Sequence, residues 1–416
     1  MFEDFSNFIT ACPTPYHFTE YARQKLLNLG FQELKESDAW DNVPLKGFII
    51  RDERCLVAWN DGGHECGCFA GSHSDSPCLI LKPKFDELIA GYRRARCSAY
   101  GGGLWYTWFD RDLKLAGRVL YRTETGIKSV LYDSQVGIAT IPLIAMHFDL
   151  SFIYSTKDTN LEDNFIPIYG TESDPPLQEF IASQLSIKSE DIVSLSLRFV
   201  DANPPNQVND ILTCQRLDNM QNTYIILKSF LDAPPEDGHF NMICVFDNEE
   251  IGSQTRCGAM AAITDDILQR IIKDVDINTF KAKSLFLSCD SNHATHPNFT
   301  YQKEINHVIY LGKGMVIERD PNQDCANGLD NELSIRQAAK AIGVNIQTYS
   351  PTNLGSGGST IGPIVETRSG ILTVDTGAPV LGMHSIRENG TMADLESGYK
   401  LVCELYRNYK KYQNPF

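Results

Sequence analysis

Apolar and polar positions change period along the chain, and the changes mark out its elements. Over 2–30, Phe18, Tyr21, Ala22, Leu26 and Leu27 recur at helical spacing and Gly30 closes the run, which predicts a helix. Gly47–Ile50 and Cys55–Trp59 are short apolar runs around the polar Arg51-Asp52-Glu53-Arg54, the pattern of a β-hairpin. A further strand runs toward Gly71-Ser72-His73. From about residue 86 the texture turns to short β-like runs such as Gly117–Tyr121, ending at the polar Asn203-Pro204-Pro205-Asn206. Beyond that, Met242–Phe246, a helical pattern over Thr255–Ile272, Ser284–Ser288 and Ile371–Val374 alternate, and Leu395, Tyr399, Val402, Leu405 and Tyr406 mark a last core-facing helix. Strand and helix in alternation predict an α/β fold, a central mixed sheet flanked by helices. The expected division is 1–86 with 208–416, interrupted by an inserted β-rich domain at 87–207.

Composition narrows the classes. The 416 residues are 42% hydrophobic and 22% charged, enough for a main core and a second domain. No window approaches the ~18 apolar residues of a spanning helix, and Met1-Phe2-Glu3-Asp4 is acidic where a secretory signal is basic. A net charge of -16 without clustered Lys and Arg argues against nucleic-acid binding. The 12 cysteines are scattered, several inside apolar runs (Cys55, Cys244, Cys289), which suits a reducing compartment; a cytoplasmic, membrane-free protein is expected. Cys66-Gly67-Cys68 lacks both the spacing and the second pair of a structural zinc site.

Candidate chemistry lies where apolar runs end. Glu249-Glu250 follow the run to Phe246 just before Gly252, and two adjacent acids at a strand end can divide labour, one holding a metal and one moving protons. His73 stands two residues before Asp75, an acid able to orient its ring. Asp290 ends Ser284–Cys289, and His384 follows the turn Gly377-Ala378-Pro379. Asp218 opens a helical run, where an N-cap is the simpler reading. His293 and His296 rank second, since loop histidines beside an acid can simply hold that loop. Ligands of open α/β sheets gather at the carboxyl ends of strands, so these groups could share one crevice. Two histidines with several carboxylates suit paired divalent ions and hydrolysis. The glycine-rich Gly355–Thr360 lacks the P-loop lysine and reads as a pocket-lining loop.

Taken in order, Gly71–Pro77, Tyr100–Val119, Arg216–Asn219, Asp247–Ser253, His296–Asn298, Thr360–Pro363 and Met383–Glu388 resemble the aspartyl aminopeptidase family of di-zinc metallopeptidases along nearly the whole chain. The resemblance implies a zinc exopeptidase fold with a β-rich dimerisation insert. It implies that Asp218 bridges two Zn2+ ions, with His73 and Asp290 on one and Glu250 and His384 on the other; Mn2+ or Co2+ could replace zinc at one site. Glu249 falls in the general-base position, Asp75 orients His73, and the Asp218–Asn219 peptide is expected in cis. Removal of an N-terminal Asp or Glu is implied, with Lys313 and Arg387 as candidate cations for the substrate side chain. His147 would be lent to a neighbour's site in a homo-oligomer, a dodecamer built from dimers. The chain is shorter than many such relatives, and its 353–359 loop is richer in glycine. The alternatives are a relative of neutral, Leu-like preference and a non-catalytic oligomeric scaffold.

Overall fold

The computed structural model describes residues 1–148, 160–353 and 358–413, with residue 331 described by its backbone. A nine-stranded mixed sheet forms the centre, in the spatial order Gln32–Glu33, Lys46–Arg51, Cys55–Asp61, His239–Phe246, Cys66–His73, Leu285–Cys289, Leu372–Gly377, Met315–Glu318 and Ile346–Tyr349. The four middle strands, His239–Phe246 through Leu372–Gly377, run parallel. His239–Phe246 and Cys66–His73 are buried at every position, because helices cover both faces and favour unbroken apolar runs.

Alternate residues of His239–Phe246 feed the two faces. Ile243 and Val245 pack with the helices Leu217–Asp232, Leu329–Ile342 and Met392–Tyr412. Met242, Cys244 and Phe246 pack with Ile263–Ile271 and Ile361–Ser369. All 12 cysteines are free, Cys66 and Cys68 being buried in the strand. Among the described residues no helix is long and apolar enough to cross a membrane.

A second, six-stranded antiparallel sheet is ordered Gly126–Asp133, Leu113–Thr123, Ile192–Asp201, Cys78–Ile89, Tyr92–Tyr100 and Ile168–Thr171. It has its own core around Leu115, Leu197 and Phe199, which the helix Leu177–Leu185 joins through Ile181. Residues 86 and 87, where the sequence texture changes, lie within the strand Cys78–Ile89 of this sheet. At the other end Asn206–Val208 pairs with Ile211–Cys214, which pairs with Glu388–Thr391 beside the main sheet.

Two helices end differently from expectation. The 2–30 segment is two helices, Phe2–Ala11 and Pro15–Asn28. Thr14 caps the second, accepting from the His17 N–H, and Pro15 takes its first position, a combination that starts a helix afresh. Leu27, expected on the buried face, is 47% exposed. In 255–272 only Ile263–Ile271 is regular helix. The Thr255 hydroxyl accepts from the N–H groups of Cys257 and Gly258, a local turn that competes with helix.

Candidate two-metal hydrolytic site

The carboxyl ends of the parallel strands converge on one cleft of about 420 Å³. His73 is the last residue of its strand, and Phe246, opposite it in register, leads into Asp247 and the single turn Glu249–Ile251. Asp290 directly follows Leu285–Cys289. Its carbonyl oxygen lies where a Cβ on Gly377 would stand, only 1.6 Å away, so the strand end needs glycine there. Asp218 sits in the first turn of Leu217–Asp232, where it and Asn219 leave helical geometry and the peptide between them is cis. His384 occupies the left-handed region at φ 67° in the loop before Glu388–Thr391.

These residues form two groups that share Asp218. On one side His73 Nε2 lies 3.6 Å from Asp218 Oδ1 and 3.4 Å from Asp290 Oδ1. On the other, His384 Nε2 lies 3.3 Å from Asp218 Oδ2 and 3.4 Å from Glu250 Oε2. Glu249 Oε2 stands 3.8 Å from His73 Nε2, outside both groups. Asp218 Oδ1 and Glu250 Oε1 are buried and no hydrogen-bond donor reaches them. Buried carboxylate oxygens without a donor are costly unless a cation faces them. Two imidazoles and three carboxylates are the donor set that zinc takes, so these residues fit a pair of such ions.

Burial and close packing of these groups shift their ionisation. Burial pushes the Glu249 carboxyl up to about 8; His73 opposes that push, while Asp290, Asp75 and Asp218 add to it. Burial and the Asp218 charge hold Glu250 well above the carboxylate range. Burial lowers His384, but its bond to Asp218 and the Glu250 charge outweigh this and carry it to about 10. His73 is likewise driven up against its burial by Asp290 and Glu249.

The family model of the Aminopeptidase I zinc metalloproteases (M18) matches residues 8–406. This chain belongs to the M18 family. Aspartyl aminopeptidase of Caenorhabditis elegans is 32% identical over 98% of this chain and 94% of its own length; aspartyl aminopeptidase 4 of Saccharomyces cerevisiae is 33% identical over 98% and 94%. Among solved structures, the Ape4 and Nbr1 complex matches at TM-score 0.93 and 30% identity, covering 97% of this chain and 84% of that one. The S. cerevisiae mApe1 dodecamer matches at TM-score 0.87 and 26% identity, covering 99% and 97%. The chain is thus a metallo-aminopeptidase of the M18 type, with the mixed-sheet α/β architecture of its structural relatives.

Several residues beyond the ligand groups hold the M18 cleft in shape. Asp75 lies with Oδ1 3.4 Å from His73 Nδ1, and its two oxygens accept the backbone N–H groups of Glu249 and Glu250 at 3.2 and 3.1 Å. The Tyr100 hydroxyl, from the second sheet, donates to Asp75 Oδ2 at 2.6 Å and accepts from Asn248 Nδ2. The Gly102 carbonyl lies 2.9 Å from His384 Nδ1, where a ring N–H reaches it, and Leu104 N–H donates to the His384 carbonyl. Glu388, 2% exposed, accepts N–H groups from both Asp218 and His384. Sequence spacing gives no sign of Tyr100 or Glu388 because each acts on a neighbour's backbone or on a second carboxylate.

The remaining sequence candidates lie elsewhere. Arg387 does not face the cleft: its guanidinium binds Asp201 Oδ2 at 2.6 Å and the carbonyls of Asn203, Pro204 and Thr213. These bonds tie the His384 loop to the end of the strand Ile192–Asp201, to the segment after it and to the strand Ile211–Cys214. Lys313 is exposed in the loop before Met315–Glu318 and is not among the residues lining the cleft. His147 is exposed between Met146 and Phe148, also away from it. His293 lines the cleft, whereas His296 Nδ1 accepts from Asn298 N–H within its own loop. Gly355-Ser356-Gly357 lies outside the described residues; Gly358, Ser359 and Thr360 line the cleft.

Proposed function

We propose that this chain is a two-zinc aminopeptidase that removes the N-terminal residue of peptides, with a preference for Asp or Glu. The observation that carries the two-metal reading is Asp218, whose separate oxygens face separate imidazole–carboxylate groups. His73, Asp290, Glu250, His384 and the shared Asp218 would hold such ions, which would supply Lewis-acid polarisation and a lowered pKa for water. Glu249, beside both groups yet in neither, takes the proton of the attacking water and returns it to the leaving amine. Asp75 holds the two neighbouring backbone N–H groups, so Glu249 and Glu250 keep their separate directions.

The acidic preference rests on the names of the curated relatives. It requires a cation free to meet the substrate side chain, and the described lining of the cleft holds no Lys or Arg. Lys313, from its exposed loop, is the residue proposed to supply it, and His147 is proposed to be lent to the site of a neighbouring copy. A homo-oligomer assembled through the insert accommodates that loan, in line with the dodecamer named for the yeast structure. The free thiols suit a cytosolic address. A neutral preference has one observation in its favour: the described lining contains Glu318 and no Lys or Arg. Turnover of Asp-, Glu- and Leu-capped chromogenic substrates separates the readings; faster cleavage after Leu overturns the acidic preference and leaves the two-metal reading standing.

A further inference from the structure

One carboxylate ties together two of the three residues of the second ligand group, Asp218 and His384. Glu388 is the first residue of the strand Glu388–Thr391, and its side chain points inward. Oε2 accepts the Asp218 N–H at 2.9 Å and Oε1 accepts the His384 N–H at 2.8 Å. Both donors lie where the backbone leaves regular structure: Asp218 at φ -81°, ψ 107° inside its helix, and His384 in the left-handed region. Neither N–H is paired by the element that carries it, and a buried unpaired N–H costs about 1–3 kcal/mol.

We propose that Glu388 is a positioning residue for the second metal site, fixing Asp218 Oδ2 and His384 Nε2 at ligand separation. The first group has its own supports. His73 is held by Asp75, and the Asp290 carboxylate by the Ser291 N–H at 2.7 Å. The Asp218 main chain is also held by Ser76, whose hydroxyl donates to its carbonyl at 2.7 Å. The Glu388 backbone needs none of its side chain, since the strand pairs with Ile211–Cys214 and Arg387 pins its entry. Loss of the carboxylate therefore loosens the Glu250–His384 side selectively.

This inference rests on the two-metal reading, and one titration tests them separately. Chelator-stripped full-length protein is titrated with zinc against a chromogenic competitor. The wild type takes up two equivalents; uptake of one alone sinks the two-metal reading and the inference with it. Glu388→Gln, which keeps one acceptor and turns an N–H donor on the other backbone N–H, should weaken one equivalent by about 10–100-fold, the usual range for a ligand's outer partners, and leave the other unchanged. In a His384→Ala background, where the second site is already lost, Glu388→Gln should leave the remaining affinity unaltered. Glu388→Asp keeps the charge with a shorter reach and should show the same selective loss in smaller degree; it decides the matter if the Gln variant does not fold. Parallel weakening of both equivalents, or of neither, with the wild type binding two, overturns the inference alone.

Discussion

Glu249→Gln separates proton transfer from metal binding within one residue. The amide keeps the size of the side chain and removes its ability to accept a proton. Glu249 stands 3.8 Å from His73 Nε2 and belongs to neither ligand group, so both metals should remain. A positioned general base contributes about 10²–10⁴-fold, or about 3–5 kcal/mol at about 1.4 kcal/mol per decade of rate. The fall should appear in kcat with KM little changed, because substrate binding does not need the proton acceptor. Stability gives an independent check in the metal-free protein. Burial raises the folded-state pKa of Glu249 to about 8 from 4.5, so ionising it costs stability as pH rises between those values. The metal-free wild type should lose thermal stability across that window, and the Gln variant should lose less. The assay is turnover of a chromogenic N-terminal substrate alongside elemental analysis. Unchanged turnover with both metals bound refutes Glu249 as the base; loss of metal with activity makes it a ligand instead.

Zinc uptake should release protons near neutral pH. Their carboxylate neighbours hold His73 well above 6.5 and His384 at about 10, so both are cationic before a metal binds and neutral as ligands. Calorimetry in buffers of different ionisation enthalpy should show that release, with affinity falling as pH falls; pH-independent affinity contradicts the ligand assignment. Tyr100→Phe removes the donor to Asp75 and the acceptor of Asn248, a charge-assisted bond worth about 1.5–3 kcal/mol. A lower denaturation midpoint and a lower kcat with both metals retained are expected, and unchanged values for both refute the role given to Tyr100. Lys313→Ala should raise KM for Asp- and Glu-capped substrates and not for Leu-capped ones; equal effects on all three remove Lys313 from specificity.

Much of the central sheet was legible because its parallel strands are buried on both faces. Met242–Phe246, Ser284–Ser288 and Ile371–Val374 read as largely apolar runs, and the candidate acids follow where two of them stop. The first strand of the second sheet is less legible, since Cys78–Ile89 is buried mainly in its first half and is largely exposed after Phe85. Asp218 looked like a helix cap from its local pattern; only the fold brings the loops of His73, Glu250, Asp290 and His384 around its two oxygens. Arg387 shows how little sequence adjacency says about direction. It adjoins Glu388 in sequence, but it lies in the bend just before the strand; the Glu388 side chain faces the cluster while that of Arg387 binds Asp201.

The most direct test of the two-metal centre is anomalous X-ray scattering at the zinc edge from crystals of the zinc-loaded protein. The account predicts two peaks flanking Asp218, one against His73 and Asp290 and the other against Glu250 and His384. A single peak, or a second one away from Asp218, would contradict it.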